Sequence, residues 1–196
     1  SSSVYGDSSI LPKNEQMFPN PLSPYALQKL IGEQYLRLFS SLYGLDTVSL
    51  RFFNVFGPRQ DPDSPYSGVI SLFTAALSEG RQPTIYGDGE QTRDFTYVSD
   101  VVTAVVTAST APGLSGKAIN VACGGRVSVN DLFGTLREVI GVDVAPIYQP
   151  PRAGDVRDSQ ADNTLAKQLL GFRAMVTIEE GLRRTVDWYK TNLSTD

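Results

Sequence analysis

The sequence predicts an α/β protein whose central strands run parallel. Three observations lead there. Strand-like and helix-like runs alternate along the whole chain, the pattern of sheets covered by helices. The run Thr47–Phe56 (TVSLRFFNVF) is rich in β-formers and apolar on both faces, as a strand buried inside a parallel sheet must be. Helical runs open on Ser-Pro or Ser/Thr-x-x-acid signals and close on glycine. With 196 residues, 41% of them hydrophobic, the chain has enough apolar content for one domain or a domain and a half.

The elements follow in order. Ser1–Tyr5 reads as the end of a strand, with hydroxyls facing a cleft at the sheet's carboxyl edge. Ser23-Pro24 starts a helix as N-cap and first-turn proline. Leu27, Leu30, Ile31, Leu38, Phe39 and Leu42 form its apolar stripe, and Gly44 ends it. Thr47–Phe56 is the buried strand, 57–67 a proline-rich loop, and Gly68–Glu79 a helix. Pro83–Tyr86 and Asp94–Val98 read as two short strands around the Gly87-Asp88-Gly89 turn. Ser99–Thr110 is helical, Lys117–Ala122 a strand, and Ser128–Ile140 a helix opening with Ser-x-x-Asp. Val144–Tyr148 is a short strand and 150–159 a polar loop. Two helices close the chain over Asp162–Leu170 and Thr177–Leu193, the second with a Thr177-x-x-Glu180 capping box.

Composition removes several chemistries. There is no histidine, so Ser-His-Asp triads, His–Cys pairs and histidine-ligated metals are excluded. The single cysteine, Cys123, rules out a disulfide framework or thiolate cluster and fits a reducing compartment. A net charge of −4 without a basic block argues against a nucleic-acid surface. No run approaches the roughly 18 apolar residues of a membrane span. No charged-then-apolar leader is visible, so a cytoplasmic protein is expected.

The chemistry starts at Tyr25-Ala-Leu-Gln-Lys29, which puts a phenol and an ammonium on one helix face a turn apart. A cation held there favours phenolate and fits the tyrosine to act as a general base near neutral pH. Around it stand five ordered motifs: SSSVYG, SPYxxxK, RFFNVFGPRQ, GDGxQxRDFxYVxD and RAGDVRDS. Together they resemble the extended short-chain dehydrogenase/reductases acting on nucleotide sugars, above all bacterial UDP-N-acetylglucosamine and UDP-glucose 4-epimerases. The likeness runs from Ser1 to about Leu193.

The resemblance implies the last part of a Rossmann-type parallel sheet plus a smaller mixed α/β nucleotide-sugar-binding domain. Residues 1–66 would carry the catalytic helix, and 67–196 mainly the substrate domain, with about 95–125 returning to the sheet. It further implies NAD as cofactor. Tyr25 would take the proton from the sugar 4-hydroxyl while hydride leaves C4. Lys29 would hold the nicotinamide ribose, and Ser1 would help the proton across. Phe53 and Val55 fall where the chain runs past the nicotinamide. Dehydratases of this group carry Asp-Glu where Ser2 and Ser3 stand, so elimination of water is disfavoured.

For substrate, the resemblance assigns Ser2, Asn54, Gly68, Val69, Tyr86, Arg93, Arg152, Asp155 and Ser159. Asn54 meets the diphosphate, and Gly68 and Val69 open a helix whose free N–H groups suit phosphate. Tyr86 belongs to the uracil pocket, Arg93 and Arg152 clamp the diphosphate as guanidinium forks, and Asp155 accepts from the uridine ribose. Ser159 lines the C2 side of the sugar, where a small residue leaves room for an N-acetyl group. The Tyr25 helix would join a homodimer interface.

One departure is large. No segment of the sequence has the GxxGxxG spacing of a dinucleotide fingerprint. The chain opens without methionine, already inside a motif, so an upstream NAD-binding half is expected to be missing, with little NAD binding by these residues alone and Thr47–Phe56 short of neighbours on one side. The reaction expected of the complete protein is 4-epimerisation of UDP-GlcNAc/UDP-GalNAc or UDP-glucose/UDP-galactose. A UDP-glucuronate decarboxylase or epimerase of the same fold, and a non-catalytic nucleotide-sugar-binding remnant, remain as alternatives.

Overall fold

The structure is a computed structural model that describes residues 1–64, 68–152 and 154–192. It opens with a 3₁₀ turn, Ser2–Tyr5, and the long helix α1, Pro24–Tyr43. Then come β1 (Val48–Phe52), β2 (Asn54–Phe56), α2 (Val69–Ser78), β3 (Thr84–Tyr86), β4 (Thr92–Arg93) and β5 (Phe95–Tyr97). The remainder is α3 (Val98–Ala108), β6 (Lys117–Val121), β7 (Val127–Ser128), α4 (Val129–Ile140), β8 (Ile147–Gln149), α5 (Thr164–Leu170) and α6 (Ile178–Asn192). An α/β class with parallel pairing is what the sequence implies.

Local chemistry accounts for the helix ends. The Ser23 hydroxyl accepts from the Ala26 N–H at 3.1 Å, Pro24 occupies the first turn where no N–H is missed, and Gly44 closes α1 in the left-handed region. Ser128 accepts from the Asp131 N–H while donating to the Asp131 carboxylate, and Thr177 accepts from the Glu180 N–H.

Strand pairing departs from expectation in instructive ways. Thr47–Phe56 is not one strand. β1 pairs in parallel with β6, and β2 pairs in parallel with β5. The switch falls at Phe53, whose N–H still reaches Val121 O, whereas the Asn54 N–H turns to Asp94 O. The buried Phe53 ring packs against Tyr5, and inserting it into that cluster takes the chain out of the β1 ladder. β3 and β5 flank the Gly87–Gly89 turn yet do not pair with each other: β3 runs parallel to β8, with Thr84 opposite Ile147. Val144–Tyr148 is displaced to Ile147–Gln149, because Pro146 has no N–H for a ladder and Ile147 supplies the first one, to Pro83 O. β4 and β7, two residues each and antiparallel, are too short to leave a periodicity in the sequence. Ser1–Tyr5 is a 3₁₀ turn, not a strand end, because the Ser1 hydroxyl accepts from the Ser3 N–H and holds the turn closed. The expected domain boundary at 66/67 and the helix end at Leu193 lie outside the described residues.

Three cores organise the molecule. Phe56, Ile70, Phe73, Leu132 and Leu182 join α2, α4 and α6 over β2 and β5. Gly181 permits the closest approach there, since a Cβ would lie 2.7 Å from the Phe56 ring and 2.9 Å from that of Tyr97. Val101, Ile119, Val121, Ala166 and Phe172 pack α3 and α5 on β6. Val4, Tyr5, Phe53, Ala122 and Ala161 bind the 3₁₀ turn to the strand ends. Of the apolar stripe of α1, Leu30 alone packs against one of these cores, the third, where it is partly buried. Ala26 is its one buried residue, while Leu27, Ile31, Leu38, Phe39 and Leu42 are 43–67% exposed. Among the described residues β1 has a single strand neighbour, β6.

Candidate active site

Two cavities meet along one line that passes Asn54, the first residue of β2, and Tyr86, the last of β3. The larger, about 430 Å³, is lined by Asn54, Val69, Tyr86, Arg93, Arg152 and Asp155 among others. The smaller, about 200 Å³, is lined by Ser2, Ser3, Lys13, Asn54, Arg93, Asp155 and Ser159. Asn54, Arg93 and Asp155 belong to both walls. Of the nine residues assigned to substrate from sequence, eight border these two spaces. The ninth, Gly68, is the N-cap of α2 in extended conformation, one residue before Val69.

The outer end is aromatic and basic. The Arg152 guanidinium lies 3.7 Å from the centroid of the Tyr86 ring, a cation–π arrangement. The Tyr86 carbonyl in turn accepts from the Gln91 side-chain amide at 2.7 Å. In the middle, Arg93 Nη1 donates to the carbonyls of Thr92 and Arg157. Burial draws the guanidinium below its ordinary value, opposed by Asp155, Asp158 and Asp7. Two carbonyls leave donors of that fork for an anion in the cavity. At the inner end Ser159 is 9% exposed, its N–H bound to Thr92 O, so the loop that carries it is tied to β4.

The candidate proton-transfer residues are carried by α1 and by the 3₁₀ turn packed against it, and Tyr25 and Lys29 line neither of the two cavities. Tyr25 is 42% exposed, and Lys29 Nζ lies 5.2 Å from its ring centroid, one turn further on. The Ser1 hydroxyl lies 2.8 Å from the Ser3 hydroxyl. The smaller cavity is bordered by Ser2 and Ser3 rather than by Ser1.

The fit to NAD divides in two. Tyr25 and Lys29 present a phenol and an ammonium on one exposed helix face, donors suited to the nicotinamide ribose. Phe53 and Val55 do not open onto the cavities; their side chains are committed to the cores, which leaves only backbone to face a nicotinamide. For the pyrophosphate, no glycine-rich turn of the required spacing occurs within the 196 residues.

Three residues escaped the sequence reading. Lys13 is 2% exposed and lines the smaller cavity. Arg157 grips Asp88 with both arms at 2.7 and 3.1 Å, and its N–H donates to Asp7, pinning the 150–159 loop. The buried Asp94 carboxylate accepts from the N–H groups of Cys123, Gly124 and Ala161 at 3.0–3.1 Å. An acid set just before the buried run Phe95–Tyr97 was the signal for it. Cys123 is structural, and burial pushes its thiol up to about 11. Of Trp188, Tyr189 and Leu182, expected in the core, Tyr189 and Leu182 are buried and Trp188 is half-buried. Among the described residues no helix is long and apolar enough to cross a membrane.

Comparison with known proteins gives the family and the fold. The family model described as the NAD dependent epimerase/dehydratase family matches residues 1–122. A UDP-glucose 4-epimerase of Mycolicibacterium smegmatis is 42% identical over 188 residues, 96% of this chain and 59% of that protein. The crystal structure of the Thermotoga maritima UDP-glucose 4-epimerase with UDP-glucose superposes with a TM-score of 0.94 at 41% identity, over 98% of this chain and 62% of that one. The UDP-N-acetylglucosamine 4-epimerase of Methanobrevibacter ruminantium, in complex with UDP-N-acetylmuramic acid, gives 0.93 at 42%, over 97% and 61%. The chain thus spans about three-fifths of the length of these relatives.

Proposed function

The chain belongs to the NAD dependent epimerase/dehydratase family, and from that premise we propose that the polypeptide carrying it interconverts the C4 epimers of a UDP-hexose. The observation that carries this reading is the continuous line of cavities from Tyr86 and Arg152, through Arg93 and Asn54, to Ser2 and Ser159. Its length order (aromatic end, guanidinium middle, small hydroxyl end) matches base, diphosphate and sugar.

In this reading Tyr25 takes the proton from the sugar 4-hydroxyl and later returns it. Lys29 fixes the ribose, while Ser1 passes the proton between hydroxyl and Tyr25. Bound NAD supplies the hydride acceptor and donor for C4. Arg93 and Arg152 hold the diphosphate, Asn54 and the first turn of α2 add donors, and Asp155 accepts from the uridine ribose. The small Ser159 side chain accommodates a 2-acetamido group, which favours UDP-GlcNAc/UDP-GalNAc.

Residues 1–66 form the catalytic part of a dinucleotide-binding unit and 67–196 the substrate unit, with the β5–β6 stretch returning to the first; the β1–β6 and β2–β5 pairs support that division. The exposed apolar stripe of α1 supports a homodimer built on that helix. The reducing environment suggested by one free cysteine supports a cytoplasmic location.

The test is product analysis by NMR on the full-length polypeptide with UDP-GlcNAc, UDP-glucose and UDP-glucuronate. A C4 epimer is expected, with Tyr25→Phe slower by about 10²-fold or more. Absence of any epimer, or full activity in Tyr25→Phe, overturns the reading.

A further inference from the structure

We propose that Glu33, Arg51, Tyr5 and Asn120 form a buried positioning relay that sets where the Tyr25–Lys29 face of α1 stands relative to the Ser1–Ser3 turn. The proposal rests on the epimerase reading for its kinetic consequence, though not for its geometry.

Tyr25, Lys29 and Glu33 occupy successive turns of one face of α1. From the penultimate position of β1, Arg51 meets Glu33 with both prongs of its fork, Nε to Oε2 at 2.9 Å and Nη2 to Oε1 at 2.5 Å. The two side chains are 4% and 12% exposed. The remaining arm, Nη1, donates to Tyr5 Oη at 2.8 Å, and the guanidinium carbon lies 4.9 Å from the Tyr5 ring centroid. Tyr5 then donates its hydroxyl to Asn120 Oδ1 at 2.7 Å. Burial pushes the Tyr5 phenol up, which keeps it a neutral donor to that amide. Asn120 Nδ2 donates onward to the carbonyls of Lys13 and Asp162 at 2.9 and 3.2 Å. The relay therefore joins α1, β1, the 3₁₀ turn and β6 without an unmatched group among these bonds.

Two considerations separate positioning from simple cohesion. First, α1 has twenty residues and buries only Ala26, so apolar packing within this chain does little to fix its rotation or axial slide. A bidentate fork is satisfied in one planar arrangement only, and it is applied one turn beyond Lys29. Second, a buried ion pair adds little net stability over apolar side chains of the same volume, because desolvation offsets the attraction. What apolar side chains would not supply is the defined geometry. Tyr5 extends that geometry to the turn bearing the hydroxyls of Ser1, Ser2 and Ser3, so both flanks of the reacting centre share one reference, the Arg51 side chain.

The experiment uses the full-length polypeptide loaded with NAD, assayed per NAD-containing site, with Glu33→Gln, Glu33→Asp and the isosteric Tyr5→Phe. Expected are a fall in kcat of about tenfold to a hundredfold for Glu33→Gln and Tyr5→Phe with KM for the UDP-sugar within about twofold, since a misplacement of order 1 Å costs that much. Glu33→Asp, which keeps the charge pair, should recover part of the loss. Hydrogen exchange supplies a readout independent of turnover: amides of the first half of α1 should exchange faster in Tyr5→Phe, those of α4 and α6 unchanged. Unchanged kcat in folded Tyr5→Phe, a loss carried by KM instead, or unchanged exchange in α1 overturns the relay. Wild-type protein that epimerises no UDP-sugar overturns the functional reading, and the exchange experiment then still decides the relay.

Discussion

Arg152 lies over Tyr86, guanidinium carbon 3.7 Å from the ring centroid, and both border the outer cavity. An exposed cation on an aromatic face is held by roughly 0.5–1 kcal/mol. That is weak enough for a bound nucleotide to displace it, which under the proposed function frees the fork for the diphosphate and the ring for the base.

Arg152→Lys should therefore weaken UDP binding by about tenfold, because an ammonium can neither stack as a plane nor bind two oxygens together. Titration calorimetry with UDP on the full-length polypeptide reads this directly. Equal affinity in the two proteins would remove Arg152 from the diphosphate site.

Ser159 closes the inner cavity of about 200 Å³. A Ser159→Tyr side chain would occupy much of it, which under the proposed function is the C2 side of the sugar. The ratio of kcat/KM for UDP-GlcNAc over UDP-glucose is expected to drop by about 10–100-fold, the range for a pocket that loses room for one small group. An unchanged ratio would place the acetamido group elsewhere.

Asp94 couples stability to pH. Burial pushes its carboxyl up to about 6, against the pull of the Ala161, Gly124 and Cys123 N–H groups. The unfolded carboxyl titrates near 3.9, so between about pH 4 and 6 the native state binds more protons than the unfolded state. This group's contribution to stability thus falls as pH rises through that window and is level above it. Asp94→Asn should remove that slope. It should also cost about 1–3 kcal/mol at pH 7, since the amide nitrogen, even in its better orientation, would face the Cys123 N–H that Oδ1 now serves. Urea melts from pH 4 to 8 on both proteins check the sign and the size.

The α1 stripe offers a surface test. Ile31, 45% exposed, and Leu38, 48% exposed, stand two turns apart. Ile31→Asp with Leu38→Glu should convert a homodimer of the full-length polypeptide to monomer in sedimentation velocity, at unchanged far-ultraviolet circular dichroism. A wild-type monomer would refute the dimer.

The sequence made legible what depends on local rules. Ser23-Pro24, Gly44, Ser128 and Thr177 set helix ends through hydrogen bonds within four residues, and those ends stand where expected. The residues assigned to substrate came from motifs, and eight of the nine meet at the cavities. The break at Phe53 was not, because a run apolar on both faces carries no mark of a change of partner. Nor was the exposure of α1: periodicity says which side chains seek a partner surface, and not where that surface is. Lys13 and Asp94 read as ordinary charges until distant backbone is seen to enclose them.

The amides gathered by Asp94 also carry a consequence for how the protein folds. Cys123 and Gly124 lie 29 and 30 residues along the chain from it, and Ala161 lies 67. Such contacts close large loops and reward the chain only once both distant segments have come home. These three N–H groups are expected to gain protection together and late in refolding, a built-in clock for the final consolidation of the cleft that Arg93 and Ser159 line.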